Sequence, residues 1–402
     1  MRIGTLVAFN SIKIFMQKNM ILLIFTAGSI MALVIRIALI NGISNDMVVS
    51  MQPWADHIKK LGFIQAFKSA FYDYTPLYLY GISIITALPI PAMIAIKMLS
   101  ILFDFIGAFY IYKILKELYG KGSILPAIGY VSFLFIPTVV VNSSYWGQCD
   151  IIFTTFIIIS IYFFLKNKML SSILSYAVAL SIKLQAVFIF PLFILFWLKK
   201  YLKTWHFLFL PGVYILTIIP AALAGRPLSS LFWIYGNQIS EYKYDIKMGL
   251  PNIYQWSDYR WFFNRDLYDL ILISGIIFTG LLVFAWLARK WKDGGLEKEK
   301  SIVIEYAYTL SVIIPFFLPR MHERYFYVAD ALGLLYLFYK PRNFYLPVII
   351  WAASFLCYLS PLGGPKLMNY EFLTFGVFIA VIKLLYDNFK KLPVIGENNE
   401  AA

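Results

Sequence analysis

The chain has 402 residues, of which 61% are hydrophobic and only 14% carry a charge. Its mean hydropathy is +0.74. Soluble domains average about 25% charged residues, so a chain this apolar cannot cover a globule with polar surface. These values exclude a soluble enzyme and a disordered chain, and they predict an all-α polytopic membrane protein.

The formal net charge is +14, a value that nucleic-acid-binding proteins also reach. No nucleic-acid-binding motif accompanies it, and the cytoplasmic loops of membrane proteins carry an excess of Lys and Arg. Only two cysteines are present, Cys149 and Cys357, far apart in the chain. A disulfide framework and a CxxC metal site are therefore excluded.

Twelve apolar segments are candidates for membrane-spanning helices, each of which needs about 20 mostly apolar residues. They are 20–40, 92–112, 123–141, 151–165, 169–182, 186–198, 205–222, 267–288, 302–319, 325–339, 343–361 and 371–387. The apolar stretch 76–90 is shorter and is closed by Pro89 and Pro91. We interpret it as a half-buried segment on the outer side, and the expected count is about twelve, within a range of 11 to 13.

The distribution of Lys and Arg predicts which loops are cytoplasmic. Most of the 35 Lys and Arg fall in alternate segments, namely 1–18, 113–122, 166–168, 199–206, 289–300, 340–342 and 383–402. The positive-inside rule places these segments and both termini in the cytoplasm of a plasma-membrane protein. The turns 142–150, 183–185 and 318–324 then lie outside, together with the longer loops.

We therefore expect one transmembrane domain over 1–388, followed by a short cytoplasmic tail at 389–402. Its first external loop, 41–91, is predicted to contain interfacial helices, and 223–266 forms a second large external loop. Apolar residues recur at helical spacing within 51–71, which favours a helix lying on the membrane surface. They are Trp54, Ile58, Leu61, Ile64 and Phe67.

Ionisable residues at membrane depth are costly and are functional candidates. The turn after the ninth candidate span carries four of them within five positions, and others lie inside the spans. Lys97 and Asp104 are seven residues apart and share a helix face, so they could form a buried pair or belong to a site. The candidates are Arg36, Lys97, Asp104, Glu305, Arg320, His322, Glu323, Arg324 and Asp330.

The polar residues of the outer segments together describe a site. The carboxylates are Asp46 and Asp150, and the cations are Lys183, Arg320, His322 and Arg324. Cations bind a phosphate, and a carboxylate can take the proton of an acceptor hydroxyl. Tyr and Trp side chains stack on sugars. A phosphate carried by a lipid and a hydroxyl acceptor indicate glycosyl transfer from a polyprenyl phosphate.

The order of these motifs resembles the GT-C superfamily of membrane glycosyltransferases, in particular the catalytic subunit of GPI mannosyltransferase I and its prokaryotic relatives. The resemblance runs from about Arg36 to Leu195, and the stretch 317–326 is similar to the His-Glu-Lys element of polyprenyl-phosphate sugar transferases. The matching elements are Asp46, Tyr74-Thr75-Pro76-Leu77, Lys97 with Leu102-Phe103-Asp104, the segment from Asn142 to Asp150, and Lys183.

The resemblance implies roles for these residues. Asp46 would be the catalytic base or would position the acceptor, and Asp150 would be the second acid of the cavity. Asp56 and Asp73 compete with Asp46 for the role of base and rank below it, because the resemblance places the essential acid nearer the first span. The donor phosphate would meet Arg320, His322 and Arg324, with help from Lys183. The remaining residues implied to bind substrate are Tyr74, Trp146, Gln148, Lys97 and Asp104.

The resemblance also implies the reaction, an inverting transfer of a hexose, with mannose favoured. The acceptor would be an extracytoplasmic hydroxyl on a cell-envelope glycan, a glycolipid or a protein. The first loop of the family often contains Asp-x-Asp, whereas this chain has Ser44-Asn45-Asp46. The missing first acid argues against a two-carboxylate metal site, and the resemblance includes many enzymes that need no metal. No cofactor is therefore expected, and a divalent metal is the less favoured alternative.

Two other functions remain open. A transporter or a lipid-linked sugar flippase also has many spans and intramembrane charges, but transporters usually show inverted repeats and midplane sites. This chain has no evident repeat, and its polar elements cluster on one side. A non-catalytic membrane scaffold would not need an outer loop dense in Asp, His and Trp.

Overall fold

The computed structural model describes residues 2–120, 122–241, 245–257 and 265–390. Within these ranges the chain is almost entirely helical, and the only strands are two dipeptides. The first helices are α1 (Arg2–Leu39), α2 (Gln52–Ala66), α3 (Pro76–Thr86), α4 (Ala92–Tyr119), α5 (Leu125–Leu134), α6 (Pro137–Val141), α7 (Asp150–Leu165), α8 (Met169–Ile182) and α9 (Phe190–Leu198).

A short 3₁₀ turn at Leu184–Ile189 lies between α8 and α9, and a second one at Thr204–Leu208 precedes the next helix. Strands β1 (Lys247–Met248) and β2 (Met321–His322) pair in parallel. The remaining helices are α10 (Phe209–Leu223), α11 (Leu228–Phe232), α12 (Ile234–Glu241), α13 (Arg265–Lys292), α14 (Gly295–Lys298), α15 (Val303–Phe317), α16 (Tyr327–Tyr339), α17 (Tyr345–Leu359) and α18 (Tyr370–Phe389).

Six helical stretches among the described residues are long and apolar enough to cross a membrane, so the protein is an all-α membrane protein. A seventh span results if Leu125–Leu134 and Pro137–Trp146, which are bent by 48°, count as one. The count of twelve is not confirmed. The six stretches are Asn19–Leu39, Ala92–Tyr119, Thr204–Leu223, Leu267–Lys292, Lys300–Phe317 and Tyr370–Phe389.

The helices in most of the other predicted spans are shorter than these six. Asp150–Leu165, Met169–Ile182 and Tyr345–Leu359 have 16, 14 and 15 residues. At about 1.5 Å of rise per residue they fall short of a hydrocarbon core of about 30 Å. Helix α3 has only 11 residues and ends at Thr86, so it covers just the first part of the apolar stretch 76–90.

The predicted apolar stripe in the first external loop is interrupted. Helix α2 contains a kink at Gly62, where φ is 74°. Trp54 and Ile58 are buried, whereas Leu61 and Ile64, next to the kink, are 43% and 65% exposed. The kink turns part of the stripe away from the protein, so the five residues do not form one continuous buried face.

Loops to which the charge distribution assigns a cytoplasmic position contact one another. Lys166 pairs with Glu117 at 3.1 Å, and Lys199 pairs with Glu297 at 2.8 Å. Helix α4 joins this end of the molecule to the other, because Glu117 lies near its last turn and Lys97 near its first. Which end faces the cytoplasm remains a prediction.

Candidate active site

A polar cavity of about 140 Å³ forms where several of the predicted outer segments meet. Six of the predicted site residues line it: Asp46, Tyr74, Gln148, Lys183, His322 and Arg324. They come from the loop after α1, the residue pair before α3, the turn before α7, the end of α8 and the loop after α15. Segments that are almost 300 residues apart in sequence therefore build one site.

The Asp46 carboxylate is held on one of its two oxygens. Its Oδ2 accepts hydrogen bonds from Trp146 Nε1 at 3.0 Å and from Gln148 Nε2 at 2.5 Å. Arg324 Nη2 lies 3.3 Å from the same oxygen. None of the described residues donates to Oδ1, and the side chain is 35% exposed. This carboxylate therefore has an oxygen available to a substrate.

The Asp150 carboxylate is engaged on both oxygens. Its Oδ1 lies 2.5 Å from Lys183 Nζ, and its Oδ2 accepts from Asn142 Nδ2 at 2.9 Å. The side chain is 3% exposed. Asp150 also begins α7, where the helix dipole favours a negative charge. We infer that Asp150 organises the cations of the site, whereas the Asp46 carboxylate keeps one oxygen that a substrate can reach.

Arg324 lies between these two carboxylates. Its guanidinium stacks on the Trp146 ring at 5.1 Å, and its Nη1 is 3.9 Å from Asp150 Oδ2. That nitrogen is buried and has no hydrogen-bond acceptor among the described residues. Because buried donors are nearly always paired, Nη1 is a place where an oxygen of a bound ligand would be accommodated.

Lys183 and Tyr74 also line the cavity and lie beside each other. Helix α8 ends at Ile182, and Lys183 adopts an extended conformation that aims its side chain at Asp150. Its Nζ also lies 5.2 Å from the centre of the Tyr74 ring. Burial raises the pKa of Tyr74 despite the nearby Lys183, so its hydroxyl keeps its proton and donates to Gln148 Oε1 at 3.3 Å.

His322 is neutral in this site. Burial lowers its pKa to about 3, and the positive charges of Arg324 and Lys183 act in the same direction. Burial also raises the pKa of Glu323, against the influence of Arg324. His322 therefore contributes a neutral imidazole to the cavity at pH 7, not a third cation.

Arg320 does not line the polar cavity. It lines an adjoining, mostly apolar cavity of about 300 Å³, and its Nε and Nη2 donate to Tyr268 Oη at 2.8 and 2.5 Å. The backbone explains the separation, because Arg320 has a φ of 61° that turns the chain before β2 begins. The expectation that Arg320 stands beside His322 and Arg324 is therefore not met.

The apolar cavity continues from the polar one. Gln185, Gln238 and Tyr325 line both. The other walls of the apolar cavity are largely hydrocarbon side chains, among them Val187, Phe188, Leu272, Ile276 and Leu318. A ligand with a polar head and an apolar chain would be accommodated across the two.

Lys97 and Asp104 are both fully buried and line neither of these cavities. The pair that their spacing suggested is not formed. Asp104 Oδ2 instead accepts from Arg36 Nε at 2.7 Å and from Ser143 Oγ at 2.6 Å. Lys97 Nζ donates to two backbone carbonyls at the end of α1, so both residues lie behind the site.

Several polar residues that line the cavity were not among the predicted site residues. Gln185 and Gln238 carry no charge, so nothing distinguishes them from other polar residues in loops. Ser50 and Asp73 also line the cavity. Asn142 was part of a recognised motif, but only its contact with Asp150 indicates a role.

Among the residues whose positions the structure describes, no three His, Cys, Asp or Glu side chains form a group that could hold a metal ion. Independence from a divalent metal remains a prediction for assay. No family model matches this chain, and no curated protein matches it either.

Proposed function

We propose that this protein is a GT-C-type glycosyltransferase that moves a hexose, with mannose favoured, from a polyprenyl-phosphate donor to an acceptor hydroxyl outside the cytoplasm. The acceptor would belong to a glycan, a glycolipid or a protein. The observation that carries this proposal is the Asp46 carboxylate, which is fixed through Oδ2 and open at Oδ1 in a cavity beside Arg324.

In the proposed reaction, Asp46 Oδ1 accepts the proton of the acceptor hydroxyl as the hydroxyl oxygen attacks the anomeric carbon. The bond between that carbon and the donor phosphate breaks, and its electron pair leaves with the polyprenyl phosphate. Attack from the face opposite the phosphate inverts the anomeric centre. A phosphate leaving group needs no strong acid, so a single base suffices.

The charges of the cavity support binding of the donor phosphate. The Nη1 of Arg324, which has no hydrogen-bond acceptor among the described residues, can donate to a phosphate oxygen, and guanidinium groups suit phosphates. His322 adds a neutral imidazole, not a further cation, to this part of the cavity. Lys183 Nζ is paired with Asp150, so Lys183 favours the phosphate mainly through the long-range attraction of its positive charge.

The adjoining apolar cavity supports a lipid-linked donor over a soluble one. The sugar phosphate would occupy the polar cavity, and the first isoprene units would lie against Phe188 and Leu318. Tyr325, which lines both cavities, would stand beside the junction of phosphate and chain.

The decisive experiment reconstitutes the purified protein in liposomes with a panel of labelled polyprenyl-phosphate sugars and a mixture of candidate acceptors. We expect label to leave one donor only when an acceptor is present, and Asp46→Asn to slow that loss by about 10²–10⁴-fold. A flippase would move an intact donor between leaflets without releasing its sugar. Intact donors throughout, with label crossing the bilayer, would overturn the proposal.

A further inference from the structure

A polar stripe runs along one face of helix α4. Lys97, Ser100 and Asp104 are spaced by three and four residues, so their side chains share a face. All three are buried, with side chains at most 1% exposed, and none lines the polar cavity. Burying polar groups at this depth costs free energy, so each of them is expected to contact a polar partner.

Lys97 holds the end of α1. Its Nζ donates to the carbonyl of Ile40 at 2.8 Å and also to the carbonyl of Gly42. These carbonyls follow the last residue of α1, where no further helical turn can satisfy them, and a cation there is favourable. No carboxylate within the described residues lies within 4.0 Å of Lys97, so the backbone is its polar partner. Lys97 thereby fixes the start of the loop that leads to Asp46.

Ser100 and Asp104 hold the second segment of the site, the turn before α7. Ser100 Oγ donates to the carbonyl of Gln148 at 2.7 Å. Asp104 Oδ2 accepts from Ser143 Oγ at 2.6 Å and is itself held by Arg36. The stripe therefore fixes both ends of the turn whose Trp146 and Gln148 side chains donate to Asp46.

The loop after α1 and the turn before α7 also contact each other directly. Ser44 Oγ donates to the carbonyl of Trp146 at 3.0 Å, and the backbone N–H of Met47 donates to Ser44 Oγ at 3.2 Å. Gly147, with a φ of 79°, leaves room for the Met47 side chain. The position of Asp46 thus depends on how these two segments sit on α4.

We propose that Lys97, Ser100 and Asp104 are positioning residues that set the orientation of the Asp46 carboxylate without touching substrate. This inference rests on the proposed function of Asp46 as the base. Since a displacement of about 1 Å at a reacting group costs on the order of 10²-fold in rate, the stripe acts on turnover and not on donor affinity.

A double-mutant cycle between Lys97→Met and Asp46→Asn tests this. We expect Lys97→Met to lower kcat by about 10²-fold, with unchanged donor affinity, and to cause no further loss in the Asp46→Asn background. Lys97→Arg, which keeps a cation for the carbonyls of α1, should recover part of the rate. An equal proportional loss in both backgrounds would show a general structural effect and overturn the inference.

Ser100→Ala provides a milder variant with a matched control. Ser160 Oγ donates to the carbonyl of Ser172 at 2.7 Å and is buried as Ser100 is, but it joins α7 to α8 away from the cavity. The two alanine variants should lose similar thermal stability. Only Ser100→Ala should lower kcat, by roughly 10-fold, a part of the misplacement cost expected for Lys97→Met.

The outcomes separate the two proposals. Wild-type kcat in Lys97→Met and Ser100→Ala, with an inactive Asp46→Asn, would reject the positioning role and leave the base assignment intact. An active Asp46→Asn would reject the base assignment itself. If Lys97→Met does not fold, the comparison of Ser100→Ala with Ser160→Ala decides: equal kcat in these two variants rejects the positioning role.

Discussion

The two oxygens of the Asp46 carboxylate differ in their surroundings, and this difference determines which of them can accept a proton from a substrate. Oδ2 receives two hydrogen bonds and lies beside Arg324, so the carboxylate cannot rotate freely. Oδ1 has no donor from the described protein. A base that is held on one side and open on the other can accept a proton along a defined path.

The base assignment predicts the effect of Asp46→Asn. Because general-base assistance is worth about 10²–10⁴-fold, the variant should lose transfer by a factor in that range and keep its stability and donor binding. Asp56→Asn is the matched control, since it removes the same charge from an exposed position in the same loop. Initial rates of label transfer measure both. Equal rates in the two variants would contradict the assignment.

Arg324 should bind the donor through the nitrogen that lacks an acceptor. Arg324→Lys keeps the charge between Asp46 and Asp150 but removes Nη1, and a hydrogen bond to a charged group is worth about 1.5–3 kcal/mol. We expect donor affinity to fall by at least about 10-fold. Arg320→Lys, in the apolar cavity, should have a smaller effect. Titration of a fluorescent donor would measure both, and a larger effect of Arg320→Lys would reverse the assignment.

His322 predicts how stability depends on pH. Its pKa is about 3 in the folded protein and near 6.5 when unfolded, so between these values the unfolded chain binds the extra proton. Stability should therefore decline as the pH falls from 6.5 towards 3, by up to about 1.4 kcal/mol per pH unit from this residue. Thermal unfolding in detergent should show a shallower pH dependence for His322→Gln. Parallel profiles would contradict the burial of a neutral imidazole.

At the scale of elements, the site depends on short, irregular segments between helices. The π-helical turns Met47–Met51 and Asn142–Trp146 flank Asp46 and Gln148, and α8 stops one residue before Lys183. Hydrophobic periodicity detects regular helices but not such turns. The sequence therefore indicated the polar segments that meet at the cavity, whereas their mutual packing had to come from the structure.

Gly147 shows how tightly two of these segments pack. Its φ of 79° is unfavourable for other residues, and a methyl group there would overlap Met47 Cε. Gly363 has a φ of 82° with open space around it. Gly147→Ala should therefore cost more stability than Gly363→Ala and should also slow transfer, because Met47 follows Asp46. Unfolding and transfer assays of the pair test this, and equal losses would show that only backbone strain matters.

The ion-pair partners of the intramembrane charges could not be predicted from spacing along one helix. The seven-residue spacing of Lys97 and Asp104 places them on one face, yet Asp104 pairs with Arg36, which is 68 residues away. Spacing within a helix shows which residues share a face but not which neighbouring helix covers that face. The same limit applies to Arg320, whose positive φ no sequence pattern indicated.

At the scale of the whole molecule, the sequence correctly indicated the apolar helical segments, whereas the predicted number of twelve membrane spans is not confirmed. All twelve segments contain helices, but length decides crossing, and several stop early. Proline contributes to this, since Pro137 begins α6 where the chain bends by 48° after α5. A run of apolar residues shows that a segment is suited to the membrane by composition, whereas crossing the membrane also requires a helix with one unbroken axis.

The predicted topology can be tested with cysteine labelling, because both native cysteines are buried. Asp56→Cys and Lys298→Cys each introduce a thiol at an exposed position. In intact cells, a membrane-impermeant maleimide should label position 56 and spare position 298, as the distribution of Lys and Arg predicts. Permeabilised cells should label both. The opposite pattern in intact cells would invert the orientation.

The pairing of β1 with β2 joins the second of the predicted external loops, 223–266, to the segment that carries His322. The amide of Arg320 donates to Ile246 O at 3.1 Å, and that of Leu250 donates to Met321 O at 3.3 Å. These two amide hydrogens can exchange with deuterium only when the loops separate. They should therefore exchange at a common rate, although their residues are 70 positions apart, and a bound ligand that bridges the loops should slow both together. Deuterium uptake at Arg320 and Leu250 would then report the opening of the cavity itself.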